Sequence, residues 1–208
     1  MQLIAQGAEA KLYRDGSELV KDRVQKGYRL PGLDARIRKL RTRGEAKLLD
    51  FAARSGLNVP RVMSIEENIL RMEFIDGKKV KDILNGVTEA ERKKICELIG
   101  STAARMHEAG IAHGDLTTSN MILKEMDGKQ KAWKLYMVDF GLGKMSAKSE
   151  DQATDLYLLY EALKAAHFEY LSRSWQYILK SYGANYKGSK TVTERFKVIE
   201  KRRRYKGE

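Results

Sequence analysis

Cysteine, tryptophan and proline are scarce in this chain of 208 residues: one, two and two respectively. A lone cysteine, Cys96, excludes an internal disulfide and any cysteine-built metal site, and favours a reducing, intracellular setting. The three histidines, His107, His113 and His167, are too dispersed for an obvious zinc cluster. No stretch approaches the roughly 20 apolar residues that a membrane helix requires. Met1-Gln2-Leu3-Ile4-Ala5 also lacks the basic start and apolar run of a signal peptide. A cytoplasmic protein with no membrane partner is therefore expected. Internal repeats, low-complexity tracts and flexible linkers are missing too, so a single domain over 1–208 is expected. With 42% hydrophobic residues and a mean hydropathy of −0.53, the chain has enough apolar material for a core.

Charge is present in excess, at +12, and it is concentrated. From Lys21 to Arg43 nine basic residues face two acidic ones, and from Glu194 to Lys206 seven face two. The remaining basic and acidic residues cancel. Concentrated positive charge raises the local potential seen by a polyanion, whereas two solvated helix faces are the plainer alternative.

Along the chain, Leu3 to Ala5, Ala10 to Tyr13 and Leu19 to Lys21 read as short strands, separated by Gly7 and Asp15-Gly16. Pro31-Gly32 precedes a long helical stretch, Leu33 to Ser55, with apolar Ile37, Leu40, Leu48, Leu49 and Ala52. Strand candidates Val62 to Glu66 and Ile69 to Phe74 follow. Thr88-Glu89-Ala90-Glu91 reads as a capping box that opens a helix to about Ala109. Two short strands, Met121 to Leu123 and Lys134 to Val138, flank a turn through Asp127-Gly128. Helices are expected from Glu150 to about His167, from Tyr170 to Tyr182, and from Thr191 into the basic end. The fold class is α+β: a sheet-rich lobe over 1–75, a helical lobe over 76–193 and a basic C-terminal tail over 194–208. Met63, Met72, Met106, Met121 and Met137 read as core filler, and Trp133 and Trp175 as core or interface aromatics.

The sharpest feature is His113-Gly114-Asp115-Leu116-Thr117-Thr118-Ser119-Asn120, followed nineteen residues after Asn120 by Asp139-Phe140-Gly141. This is the H-x-D-L-x-x-x-N and D-F-G pair of the protein-kinase signature, each half beside a short strand. Either half alone could be turn chemistry; together, in order, they point to phosphoryl transfer from Mg–ATP. Asp115 would orient a hydroxyl or water and accept its proton, while Asn120 and Asp139 would hold magnesium. His113 reads as a packing residue that orients this loop. Two further parts must then exist. Lys21 ends the third strand candidate, where a phosphate-binding lysine belongs. Glu45 lies three, four and seven residues before Leu48, Leu49 and Ala52, so it shares their apolar face and needs a cation as partner. The phosphate-covering loop is reduced to Gln6-Gly7-Ala8-Glu9-Ala10, with Gly7 and Ala8 as its contacts. Met72-Glu73-Phe74 stands where a hinge would offer backbone groups to adenine, with Glu73 at its centre.

These motifs, with Gly7-Ala8-Glu9-Ala10, Tyr28-Arg29, Leu33-Asp34, Arg41-x-x-x-Glu45, Gly141-Leu142-Gly143, Glu150-Asp151 and Asp155-Leu156-Tyr157, resemble the small atypical kinase of the KEOPS complex, of archaeal type. The resemblance covers nearly the whole chain. It implies a minimal bilobal kinase fold, ATP and Mg as cofactors, serine/threonine autophosphorylation, and ATPase activity that supports threonylcarbamoylation of tRNA adenosine. It also implies docking on the threonylcarbamoyltransferase subunit and on a small regulatory subunit. Sixteen positions from Asp139 to Asp155, no A-P-E, and Gly114 in place of an arginine leave little platform for a peptide substrate. The family's usual Arg-Gly-Arg-Lys ending is replaced by Lys201-Arg202-Arg203-Arg204-Tyr205-Lys206, which keeps the charge and makes Lys201, Arg202, Arg203 and Arg204 the candidate tRNA contacts. Two other readings remain open from sequence: a small-molecule kinase of the aminoglycoside or sugar type, and an inactive scaffold that binds tRNA.

Overall fold

The computed structural model describes the backbone of residues 1–126 and 132–204. The turn expected through Asp127-Gly128, the Arg204 side chain, Tyr205 and Lys206 lie outside the described residues. The chain begins with three antiparallel strands, β1 (Gln2–Gln6), β2 (Ala10–Asp15) and β3 (Glu18–Arg23). Gly16, at φ 60°, makes the turn between the last two, a conformation open to glycine at no steric cost. Helix α1 (Pro31–Arg54) follows, with proline where its missing N–H does no harm. Strands β4 (Val62–Glu66) and β5 (Ile69–Glu73) complete a sheet of order β1-β2-β3-β5-β4.

The expected apolar face of α1 is correct only in its second half. Ala46, Leu48, Leu49 and Ala52 are buried beneath the sheet, but Leu40 is 59% exposed and Ile37 half-buried. In the first half the buried groups are Asp34 and Thr42, because little apolar structure faces that end of the helix. Met63 is likewise exposed on β4 and is not core filler, whereas Met72, Met106, Met121 and Met137 are buried.

A short strand β6 (Lys78–Lys79) and a single turn α2 (Val80–Ile83) lead into the helical lobe. Helix α3 (Glu89–Glu108) starts at the capping box: the Glu91 backbone N–H donates to Thr88 Oγ1, and the Thr88 N–H donates to Glu91. Then come β7 (Ile111–Ala112), β8 (Met121–Met126), β9 (Ala132–Met137), β10 (Lys144–Met145), α4 (Ser149–Ala166), α5 (Leu171–Asn185) and α6 (Ser189–Arg204). The two-residue strands and α2 are too short to show any periodicity in the sequence. Helices α3 and α5 cross so closely that a Cβ on Gly100 would sit 2.3 Å from the Ile178 carbonyl oxygen. Tyr160, Trp175 and Phe196 form an aromatic cluster between α4, α5 and α6, and Trp133 packs half-buried against the core.

Up to Arg204 the backbone of the basic segment is part of helix α6. Val192, Phe196 and Ile199, spaced four and three apart, bury one face of α6. The cations Lys197 and Lys201 lie exposed on the far side and Arg202 on the flank, as the 3.6-residue period requires.

Candidate active site

The loop after β7 carries the first motif. Gly114 sits at φ 77°, and a Cβ there would lie 2.2 Å from the Leu142 carbonyl oxygen, so residue 114 must be glycine on two counts. The loop is held from below by Asp155 of α4, which is fully buried. One Asp155 oxygen accepts the His113 backbone N–H at 2.6 Å, and the other accepts the Gly114 N–H at 2.8 Å. His107 bridges Asp155 to Tyr182 of α5. His113 is buried against Phe140, with ring centroids 4.6 Å apart, and its Nε2 meets the Val138 carbonyl oxygen at 3.0 Å. Burial holds its pKa below the ordinary value, so it is a neutral pillar of the loop. Asp115 projects into the cleft, where its carboxylate accepts Asn120 Nδ2 at 2.8 Å.

Asp139 follows β9 at φ 62°, a left-handed conformation that aspartate tolerates better than most residues. From the other lobe, Lys21 Nζ donates to Asp139 Oδ1 at 2.7 Å and to Glu45 Oε1 at 2.8 Å. Burial would raise the Asp139 pKa, but the Lys21 ammonium and the Gly141 N–H overcome it and hold the carboxyl below 3.8. Asp139 is thus an anion throughout the neutral range.

Two adjoining cavities open around this point. One of about 300 Å³ is roofed by Ile4, Leu12 and Leu19, floored by Ile122 and Val138, and closed by the segment Glu73–Ile75. Its apolar faces suit a flat heteroaromatic ring. The Glu73 N–H is engaged by the Arg61 carbonyl oxygen and the Phe74 N–H by that of Ser17. The Ile75 N–H, by contrast, carries no protein partner among the described residues. The second cavity, about 460 Å³, is polar: Gly7, Ala8 and Glu9 cover it, Lys21, Arg23 and Arg41 supply cations, and Asp115 and Asp139 line its base. Among the described residues no cluster of three or more His, Cys, Asp or Glu could hold a metal unaided. Asp139 Oδ2 and Asn120 Oδ1 nevertheless have no protein partner among the described residues, and one carboxylate, one amide oxygen and substrate phosphates form a donor set that fits magnesium.

A model of the RIO domain family matches residues 8–156. Over 99% of the chain, and 97% of that protein, the sequence is 40% identical to KEOPS complex subunit Bud32 of Pyrococcus abyssi. The chain belongs to the Bud32 family. A probable bifunctional tRNA threonylcarbamoyladenosine biosynthesis protein of Methanococcus vannielii is 37% identical over 98% of this chain, which spans only 36% of that longer protein. Among solved structures, the ADP/Mg-phosphoaspartate complex of Rio2 kinase from Chaetomium thermophilum superposes with a TM-score of 0.66. It covers 99% of this chain and 72% of its own, at 11% identity. An ADP-bound aminoglycoside phosphotransferase gives 0.65, covering 96% and 81%, at 13% identity. Both likenesses speak for a kinase-like fold alone.

Three features of this Bud32-family chain escape a residue-by-residue reading. Arg23 donates to Glu45 Oε2 at 2.5 Å, so Glu45 carries two cations, both buried. Its position two residues after Lys21 on one strand, hence on the same face, is the signal that could have found it. Asp155 lies between buried Ala153 and Leu156, and a carboxylate so placed demands donors. The basic segment is also less available than its sequence suggests. Lys21, Arg23, Lys26, Arg29, Arg38, Lys39 and Arg41 all lie within 4.0 Å of a carboxylate, leaving Arg36 and Arg43. Most of that charge holds the molecule's own acids. Of the four candidate tRNA contacts, Lys201 and Arg202 are exposed and have no ion pair among the described residues, while Arg203 lies over the Tyr157 ring, 4.9 Å from its centroid. Lys201, Arg202 and Arg203 line neither of the cleft cavities.

Proposed function

We propose that this chain is the Mg–ATP-dependent kinase and ATPase of a KEOPS-type complex, and that it supports threonylcarbamoylation of tRNA adenosine. The observation that carries the reading is the meeting of Lys21, Glu45 and Asp139 across the cleft, beside Asp115 and Asn120. Residues 1–75 act as the lobe that grips the nucleotide, 76–193 as the catalytic lobe and 194–208 as a basic segment for RNA. Adenine lies in the apolar cavity against Glu73–Ile75, and the phosphates lie under Gly7 and Ala8, where Lys21, oriented by Glu45, neutralises them. Magnesium, held through Asn120 and Asp139, supplies the charge that offsets what develops on the phosphate oxygens. Asp115 orients a water or a serine/threonine hydroxyl. The proton leaves toward Asp115 as the oxygen–phosphorus bond forms and the bridging bond breaks.

Partners follow from the relatives. A related sequence occupies about a third of a bifunctional tRNA-modifying protein, which supports docking on the threonylcarbamoyltransferase subunit, with the small regulatory subunit as second partner. The exposed cations of α6 are the tRNA contacts, and the setting is the cytoplasm, where tRNA is handled. The test is phosphate release from ATP and tRNA modification by the reconstituted partners. Wild type is expected to turn over ATP faster with partners and tRNA present, and Asp139→Ala to abolish both activities. Unchanged modification by that variant would overturn the mechanism.

A further inference from the structure

Glu9 is the one acid in the loop that covers the polar cavity, an arrangement that would repel a polyanion were nothing else required of it. Its Oε2 accepts Arg41 Nη1 at 2.7 Å, and its Oε1 lies 3.9 Å from Lys26 Nζ. Arg41 stands one helical turn before Glu45 on α1, on the face that lines this cavity with Lys21, Asp115 and Asp139. Lys21 and Arg23 are buried and committed to Glu45. Arg41 is the third cation of the cavity, and its bond differs in kind: its side chain is 36% exposed and that of Glu9 53%. A pair so solvated is worth only about 0–1 kcal/mol. A guanidinium fork on phosphate oxygens makes two charge-assisted bonds, each about twice as strong as a neutral one. Lys26 also bonds the Ala8 carbonyl oxygen, so it stays beside Glu9 and keeps that carboxylate partnered once Arg41 departs.

We propose that Arg41 is a further catalytic residue, a guanidinium that leaves Glu9 to bind the terminal phosphate of a nucleoside triphosphate, and that Glu9 holds it in reserve. This rests on the nucleotide reading of the cleft. Arg41 then supplies from within the chain the charge that some phosphoryl-transfer enzymes receive from a partner's arginine. A guanidinium directed at the terminal phosphate distinguishes triphosphate from diphosphate, because only the former offers it oxygens.

The experiment compares wild type, Arg41→Ala, Arg41→Lys and Glu9→Gln in Mg–ATP turnover, in Mg–ADP affinity by calorimetry and in thermal melting. Arg41→Ala is expected to lower kcat by roughly 10- to 100-fold, with Mg–ADP affinity kept within about twofold. Arg41→Lys, which keeps charge without the fork, should recover part of that loss. Glu9→Gln, which frees Arg41 from its partner, should raise affinity for Mg–ATP. A mere tether between loop and helix predicts the reverse pattern, since either variant breaks the pair and both would lose activity together; that result overturns the proposal. So does an Arg41→Ala kcat within about twofold of wild type, or an equal loss of ATP and ADP affinity. Should Arg41→Ala melt early, the partial kcat of Arg41→Lys and the raised Mg–ATP affinity of Glu9→Gln still decide. Failure of wild type to bind Mg–ATP would instead remove the nucleotide reading itself.

Discussion

Lys21 and Asp139, 118 positions apart, meet at 2.7 Å across the cleft, and the same ammonium is held at 2.8 Å by Glu45. One side chain of the sheet thereby touches both the helix that orients it and the carboxylate that follows β9. The lobes are joined at the point where the chemistry is proposed, so changes there alter stability and activity together.

Glu45 separates those two effects. Glu45→Ala leaves the buried Arg23 without its acid and Lys21 with Asp139 alone, and should cost about 3–5 kcal/mol of stability. Lys21→Ala leaves Arg23 still paired with Glu45 and should cost clearly less, while removing ATP turnover. Urea denaturation of both variants checks the order; equal losses would mean that Arg23 does not share the carboxylate.

Gly114→Ala should destabilise by about 1–3 kcal/mol from its backbone conformation alone, with the Leu142 contact adding to it. Because that strain falls on the loop carrying Asp115, turnover should fall even at temperatures where the variant is folded. Calorimetric melting beside an activity assay reads both.

Burial lowers the pKa of His113 and of His167, the latter aided by the nearby charges of Lys81 and Arg92. The unfolded chain then binds more protons than the folded one below pH 6.5. Stability is therefore full above that value and declines as pH falls toward the folded pKa values, by up to about 1.4 kcal/mol per unit per histidine. His167→Gln should lessen the slope in denaturation series as pH falls below 6.5. An unaltered slope would place the titration elsewhere.

Replacing Lys201 and Arg202 with glutamine should weaken tRNA binding and lower the slope of log affinity against log salt by about 1–2. Arg36→Gln with Arg43→Gln is the comparison pair, drawn from the other basic segment. Filter binding across salt concentrations distinguishes them; an unchanged slope in the α6 variant would dismiss that helix as the RNA contact.

The kinase motifs were legible because their chemistry needs particular residues at short spacing, and Asp115, Asn120 and Asp139 lie where that spacing puts them. The Lys21–Glu45 pair was legible from helix period and strand end. By contrast, the unengaged N–H of Ile75 is a backbone group and leaves no residue signature, and the exposure of Leu40 depends on what lies opposite the first half of α1.

Composition, motif and period alone determined a kinase-like fold, its candidate reactive groups and the location of its excess charge. Only the tertiary structure decided which of that charge is available. Seven cations between Lys21 and Arg43 meet acids within 4.0 Å, Glu9, Glu45 and Glu67 among them. Net charge counts residues wherever they lie, whereas an ion pair depends on distances that the fold alone creates.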